Sequence, residues 1–141
     1  ELQLLDPALA DKLDLDAVRP FFVCAFWRRI RLAKQILREE PFITALPAAE
    51  ITPAAGQGSA AAAEVLVQGI ADLVLVFDEH AEILDYKTDR VHGQALYERA
   101  KSYAGQLRAY AIAIGKMTGK PVAGCALYFL DDGQTGFVPE K

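Results

Sequence analysis

From Glu64 to Phe77 the chain reads EVLVQGIADLVLVF, a run so rich in Val, Ile and Leu that it predicts a strand. Asp78 to Ala81 supplies a turn, and Glu82 to Thr88 (EILDYKT) returns as the partner strand of a hairpin. The rest of the chain must then build a sheet around this pair. Asp16 is placed to cap a helix running to about Arg38, with Pro20 tolerated because it falls in the first turn. Phe22, Phe26, Ile30, Ala33 and Leu37 recur at helical spacing and predict its buried stripe, while Arg28, Arg31, Lys34 and Arg38 share another face. That basic face reads as solvated surface, with docking or phosphate contact the alternative. A first strand follows over Glu40 to Leu46.

Residues 52–63 are rich in Gly, Pro and Ala and predict a flexible internal loop. After the hairpin, a helix is predicted from Ala95 to Met117, stopped by Gly119 and Pro121. Pro121 to Leu130 reads as a last core strand, Asp131-Asp132-Gly133 as a turn, and Phe137-Val138 as a short edge strand. The order α-β-β-β-α-β predicts an α/β domain with helices packed on one central sheet. At 141 residues, 52% of them apolar, the chain is sized to fill a single core.

The hairpin carries charges where a central strand should have none. Alternation puts Asp85 and Lys87 on one face of the returning strand and Tyr86 on the other. Asp72 interrupts the neighbouring run, placed to lie across the hairpin from Asp85. Buried charges are rare unless paired or metal-bound, and two carboxylates together repel unless a cation or a shared proton intervenes. Hard oxygen ligands of this kind suit Mg²⁺ or Mn²⁺. A buried Asp–Lys cluster is the competing reading, and spacing alone leaves the two even. Gln106 and Tyr110, four residues apart, share one helix face.

The net charge of −4 argues against a module that holds nucleic acid unaided, since phosphate neutralisation supplies most of that affinity. Two cysteines, Cys24 and Cys125, both in apolar runs, are too few for a four-thiolate iron–sulfur cluster and read as buried thiols in a reducing cytosol. No apolar stretch is long enough for a membrane span. The start at Glu1 rather than at a methionine suggests a segment excised from a longer chain.

Taken together, Gly69-Ile70-Ala71-Asp72, Asp85-Tyr86-Lys87-Thr88 and Gln106-Leu107-Arg108-Ala109-Tyr110 resemble the RecB-like branch of the PD-(D/E)XK nuclease superfamily. Its pattern is G-x-x-D on one strand, D-Y-K-T on the next and Q-x-x-x-Y on the following helix. Arg38-Glu39-Glu40-Pro41-Phe42, Pro47-Ala48, Val67-Gln68-Gly69-Ile70, Asp85 to Val91, Gly119-Lys120-Pro121-Val122 and Leu127-Tyr128-Phe129 look like the C-terminal nuclease domain of AddA-type helicase–nucleases.

The resemblance implies a restriction-endonuclease-like α/β core with a mixed central sheet, and Mg²⁺-dependent hydrolysis of DNA, exonucleolytic, in double-strand-break repair. It implies Asp72, Asp85 and the backbone carbonyl of Tyr86 as metal ligands, Lys87 as catalytic lysine, and Gln106 and Tyr110 as substrate-contacting or supporting residues. It further implies helicase motors that bind ATP outside this segment, a bacterial cytoplasmic setting and an AddB-like partner subunit. Many RecB-like nucleases carry a metal-binding histidine on the first helix. None stands here before His80, and Glu39 or Glu40 is the candidate substitute. A stand-alone RecB-like exonuclease and a non-catalytic docking module are the rival readings. The cysteine count disfavours the iron–sulfur relatives, and retention of all three motif side chains disfavours the docking module.

Overall fold

A computed structural model describes residues 14–51, 63–131 and 134–138. Five strands form one mixed sheet in sequence order: β1 (Gln35–Pro47), β2 (Glu64–Val76), β3 (Ala81–Lys87), β4 (Val122–Phe129) and β5 (Gln134–Val138). Neighbours run antiparallel except β3 and β4, which are parallel. A parallel pair needs a crossover, supplied by α4 (Gln94–Ser102) and α5 (Ala104–Thr118). These helices cover one face, over a core containing Val74, Ile83, Leu107, Ile114 and Leu127. The opposite face buries Leu73, Leu75, Leu84 and Tyr128 beneath Phe21, Phe26 and Ile30. Those three come from the N-terminal segment: α1 (Leu15–Val18), a 3-10 turn (Arg19–Val23) and α2 (Ala25–Leu32). A four-residue helix, α3 (Ala48–Ile51), follows β1. Of the two cysteines, Cys125 is buried as expected and Cys24 only half-buried.

The single long N-terminal helix expected from Asp16 to Arg38 is not what forms. Asp14, not Asp16, caps the first turn, accepting from the backbone N–H groups of Asp16 and Ala17. Helical structure ends at Leu32, Ala33 is extended, and β1 begins at Gln35 rather than Glu40. Pairing decides this: Gln35 to Arg38 align with Val76 to Leu73, and the ladder overrides the helical spacing of Leu37. Phe22 is exposed, and its neighbour Phe21 fills the core instead. The basic face is split as well. Arg28 and Arg31 stay on α2, Lys34 pairs with Asp78, and Arg38 sits on β1 opposite Leu73.

The second long helix is also divided. It breaks at Tyr103, where the Ser102 hydroxyl donates to the Arg99 carbonyl at 2.6 Å and competes for a backbone acceptor. Gly119 ends α5 in the left-handed conformation, as its stop signal predicts. Of the loop expected over 52–63, all but Ala63 lies outside the described residues, as do Asp132 and Gly133 of the expected turn.

Strands β1 and β2 change phase half-way along. In β2, Ala71 and Val74 face the α4–α5 core while Leu73 and Leu75 face the other. In β1, Leu37 and Phe42 share the α4–α5 side despite odd spacing. The slip falls between the pairs Arg38↔Leu73 and Glu40↔Ala71, which leaves Glu39 across from Asp72. Glu39 takes a φ of 49°, the one positive value on a non-glycine among the described residues.

Candidate active site

The site lies where β2 and β3 part. Their ladder runs from Val76↔Ala81 to Leu73↔Leu84 and stops, and one further step in register would set Asp72 opposite Asp85. There the Tyr86 N–H donates to the Asp72 carboxylate instead, at 2.8 Å to Oδ2. Asp72 therefore replaces a backbone acceptor at the mouth of the sheet. Its charge reaches both faces. Burial and the Asp72 charge push the Tyr86 phenol up to about 12.

Asp85 is 3% exposed. Burial raises its carboxyl above the ordinary range, Lys87 pulls it back, and Asp72 pushes it further up. Lys87 Nζ stands 2.5 Å from Asp85 Oδ2, an ion pair by distance. The ammonium sits off the ideal line of a hydrogen bond to Oδ2, yet it pulls the carboxyl down both by its charge and by hydrogen bonding. The only other buried side-chain oxygen without a well-aligned hydrogen bond among the described residues is the Tyr128 hydroxyl, a neutral group on the opposite face. The Asp85 oxygen is the charged one of the two, and Lys87 is its counter-ion. Its surroundings are an acidic neighbour and an imperfectly aligned ammonium, a donor set short of positive charge.

Among the described residues, no set of three or more His, Cys, Asp or Glu side chains converges as metal ligands. The two carboxylates suit a hard divalent cation, with backbone oxygen or water left to complete its shell. Glu39 and Glu40 do not join that set, although Glu39 lies beside Asp72 on the neighbouring strand. His80 is distant in role as well as place: it stacks on Phe77 and approaches Glu82 at 3.2 Å.

Tyr86 points away from Asp85 and Lys87, as alternation predicts, and packs edge-on against Phe21 and Tyr128. Gln106 Nε2 donates to the Tyr110 hydroxyl at 3.0 Å, so the two act as one unit on α5. Tyr110 packs edge-on against Phe42 with ring centroids 4.9 Å apart. Gly69, paired with Phe42, explains its own place in the motif. A Cβ there would lie 2.8 Å from Phe42 Cζ and 3.1 Å from the Tyr110 hydroxyl. Gly69, Phe42, Gln106 and Tyr110 thus form one packed cluster joining the β1–β2 arm to α5.

Sequence reasoning missed Tyr103. It lies at the α4–α5 junction with its ring centroid 4.2 Å from Lys87 Nζ. Its hydroxyl donates to Asp89 at 2.9 Å, and Asp89 also accepts from Arg99 Nε at 2.7 Å. Asp89 thereby ties the loop after β3 to the helical crossover. The available signal was spacing: Tyr103 precedes Gln106 by three residues, hence one helix face.

The sequence of residues 6–140 matches the PD-(D/E)XK nuclease superfamily. The chain belongs to that superfamily. Its mixed sheet, flanked by helices on both faces, is consistent with the PD-(D/E)XK fold. The chain is also similar to proteins that are named as a subunit of an ATP-dependent helicase/nuclease. The one from Carboxydothermus hydrogenoformans is 38% identical over 128 residues, 91% of this chain and 11% of that protein. The one from Geobacillus thermodenitrificans is 35% identical over 138 residues, 93% of this chain and 11% of the relative. The Moorella thermoacetica protein is 35% identical over 135 residues, 94% of this chain and 9% of the relative. This PD-(D/E)XK chain therefore spans about a tenth of the length of these relatives. Among the described residues, no helix is long and apolar enough to cross a membrane.

Proposed function

We propose that this chain is the DNA-cutting domain of an AddA-type helicase–nuclease and hydrolyses phosphodiester bonds with Mg²⁺ or Mn²⁺. The observation that carries the reading is a buried Asp85 carboxylate with a second acid, Asp72, placed across the hairpin and with Lys87 as its counter-ion.

In this reading Asp72, Asp85 and the backbone carbonyl of Tyr86 hold the cation. When bound, it supplies Lewis-acid polarisation of the scissile phosphate. Asp72 keeps its place through the Tyr86 N–H, which also orients the Tyr86 peptide. Lys87, mostly buried and one alternation from Asp85, supplies positive charge to water or to the phosphate oxygens as negative charge develops. Gln106 and Tyr110 brace the arm that carries Asp72 and contact substrate.

With a net charge of −4, the domain depends on other parts of a longer protein to bring DNA. The names of its relatives support ATP-driven helicase motors in that role. Exonucleolytic cutting of single strands, a bacterial cytoplasmic setting and an AddB-like partner subunit complete the proposal. No iron–sulfur cluster is part of it, as two cysteines are too few to ligate one.

The test is Mg²⁺-dependent degradation of single-stranded DNA by the full-length protein carrying wild type, Asp85→Ala or Lys87→Ala. Both variants should lose cleavage while keeping DNA binding. Wild-type rates from both would overturn the site.

A further inference from the structure

Lys87 has two holds on its ammonium. One is the Asp85 carboxylate at 2.5 Å. The other is the Tyr103 ring face at 4.2 Å. The two are not equivalent. A carboxylate that serves a divalent cation has less charge to offer a lysine, so an ammonium held by Asp85 alone would lose its anchor when the site is charged. An aromatic face asks nothing of the carboxylate.

The ring is itself tied down. Its hydroxyl donates to Asp89 at 2.9 Å, and the Arg99 guanidinium, bonded to the same carboxylate, lies 4.9 Å from the ring centroid. Burial and the Asp89 hydrogen bond keep the phenol protonated, so that bond persists across the working pH range. Tyr103 sits at the break between α4 and α5, next to Ser102, whose hydroxyl bonds back to the Arg99 carbonyl. The break, the loop after β3 and the lysine on β3 therefore meet at one aromatic ring.

We infer that Tyr103 is a positioning residue for Lys87, its ring holding the ammonium over the site independently of Asp85, with Asp89 and Arg99 locking the ring in place. The inference rests on the reading of Lys87 given above and adds a residue outside the three motifs.

The first test needs neither metal nor DNA. A ring face shields the protons beneath it, so in the full-length protein with isotope-labelled lysines the Lys87 Hε signals, assigned by their loss in Lys87→Arg, should lie upfield of ordinary lysine. Tyr103→Phe, which keeps the ring, should retain most of that shift, and Tyr103→Leu should abolish it. Asp89→Asn should reduce it by loosening the ring. A Lys87 signal at the ordinary position in the wild-type chain overturns the inference without recourse to any variant.

The second test is cleavage by the full-length protein. Tyr103→Leu should lower kcat about tenfold with little change in KM for DNA, and Tyr103→Phe should restore most of it. A Tyr103→Leu variant with wild-type kcat overturns the positioning role. The two readings fail separately. If Lys87→Ala cuts normally, the proposed function falls while the upfield signal stands. If Lys87→Ala is inactive but the signal is ordinary, only the inference on Tyr103 falls.

Discussion

Strand β3 buries two carboxylates, Glu82 at its start and Asp85 near its end, and their surroundings differ completely. Glu82, 8% exposed, faces α2 and is gripped by Arg29 through both carboxylate oxygens, with His80 as a further neighbour. Asp85 faces the α4–α5 side beside a second acid, with Lys87 as its counter-ion. Burial of a charge is thus no mark of a site by itself. The neighbouring charges separate the two: Glu82 fastens a helix to the sheet through Arg29, whereas Asp85 has one lysine and a second acid close by.

The comparison breaks most visibly in activity. Asp85→Ala should lower DNA cleavage by about 100-fold or more, in the range seen when one electrostatic partner of a reaction is removed. Glu82→Ala should leave cleavage per folded molecule unchanged. Equal losses from both would erase the distinction, and rates normalised to folded protein would show it.

Next in size is packing on the site side. Gly69→Ala should cost about 1–3 kcal/mol, since the new methyl meets Phe42 and the Tyr110 hydroxyl at contact distances neither can easily yield. Urea midpoints at constant m-value would measure it. A neutral result would mean that the cluster joining the arm to α5 is loose.

Stability then reverses the ranking of the two acids. Glu82→Ala should cost about 1–2 kcal/mol, less than a fully buried pair, because Arg29 is nearly half exposed and screened by solvent. Asp85→Asn, measured without divalent cations, should cost less than this. A larger loss from Asp85→Asn would recast Asp85 as a structural anchor.

The smallest effect is in pH. The folded chain holds the Asp85 proton more tightly than the unfolded chain, so this group's contribution to cation-free stability is greatest below the ordinary carboxylate range. It declines as pH rises through the raised value. The melting-temperature cost of Asp85→Asn should therefore shrink, or turn into a gain, from acid to neutral pH. Mg²⁺ affinity should rise over the same interval, as the carboxylate must shed its proton to bind. A difference independent of pH would contradict the raised carboxyl.

Much of this is legible in the sequence. The apolar run of β2, the return of β3, and the alternation of Asp85, Tyr86 and Lys87 all follow from period-two patterning in a half-buried sheet. The Gly119 stop follows from backbone conformational freedom. Where the reading fails, tertiary pairing overrides local spacing. Leu37 belongs to a helical stripe by sequence but to β1 by its partner Val74. Tyr103 reads as mid-helix because nothing in the local spacing marks the break, where Ser102 bonds back to Arg99. The phase slip at Asp72 is half visible: the run of residues 64–77 does not alternate cleanly, but only the paired slip at Glu39 explains why.

The parallel joining of β3 to β4 has a consequence for the order of assembly. Asp72, Asp85, Lys87, Tyr103, Gln106 and Tyr110 all precede β4 in the chain, yet β3 acquires its second neighbour only when Val122–Phe129 closes the crossover. Contacts of such sequence separation form late, because chain closure must be met before they stabilise anything. A ribosome-bound chain that has made every motif residue still lacks the sheet that holds them in register. In the proposed reading the site is complete only once β4 has joined β3, after the residues assigned to it have all been synthesised.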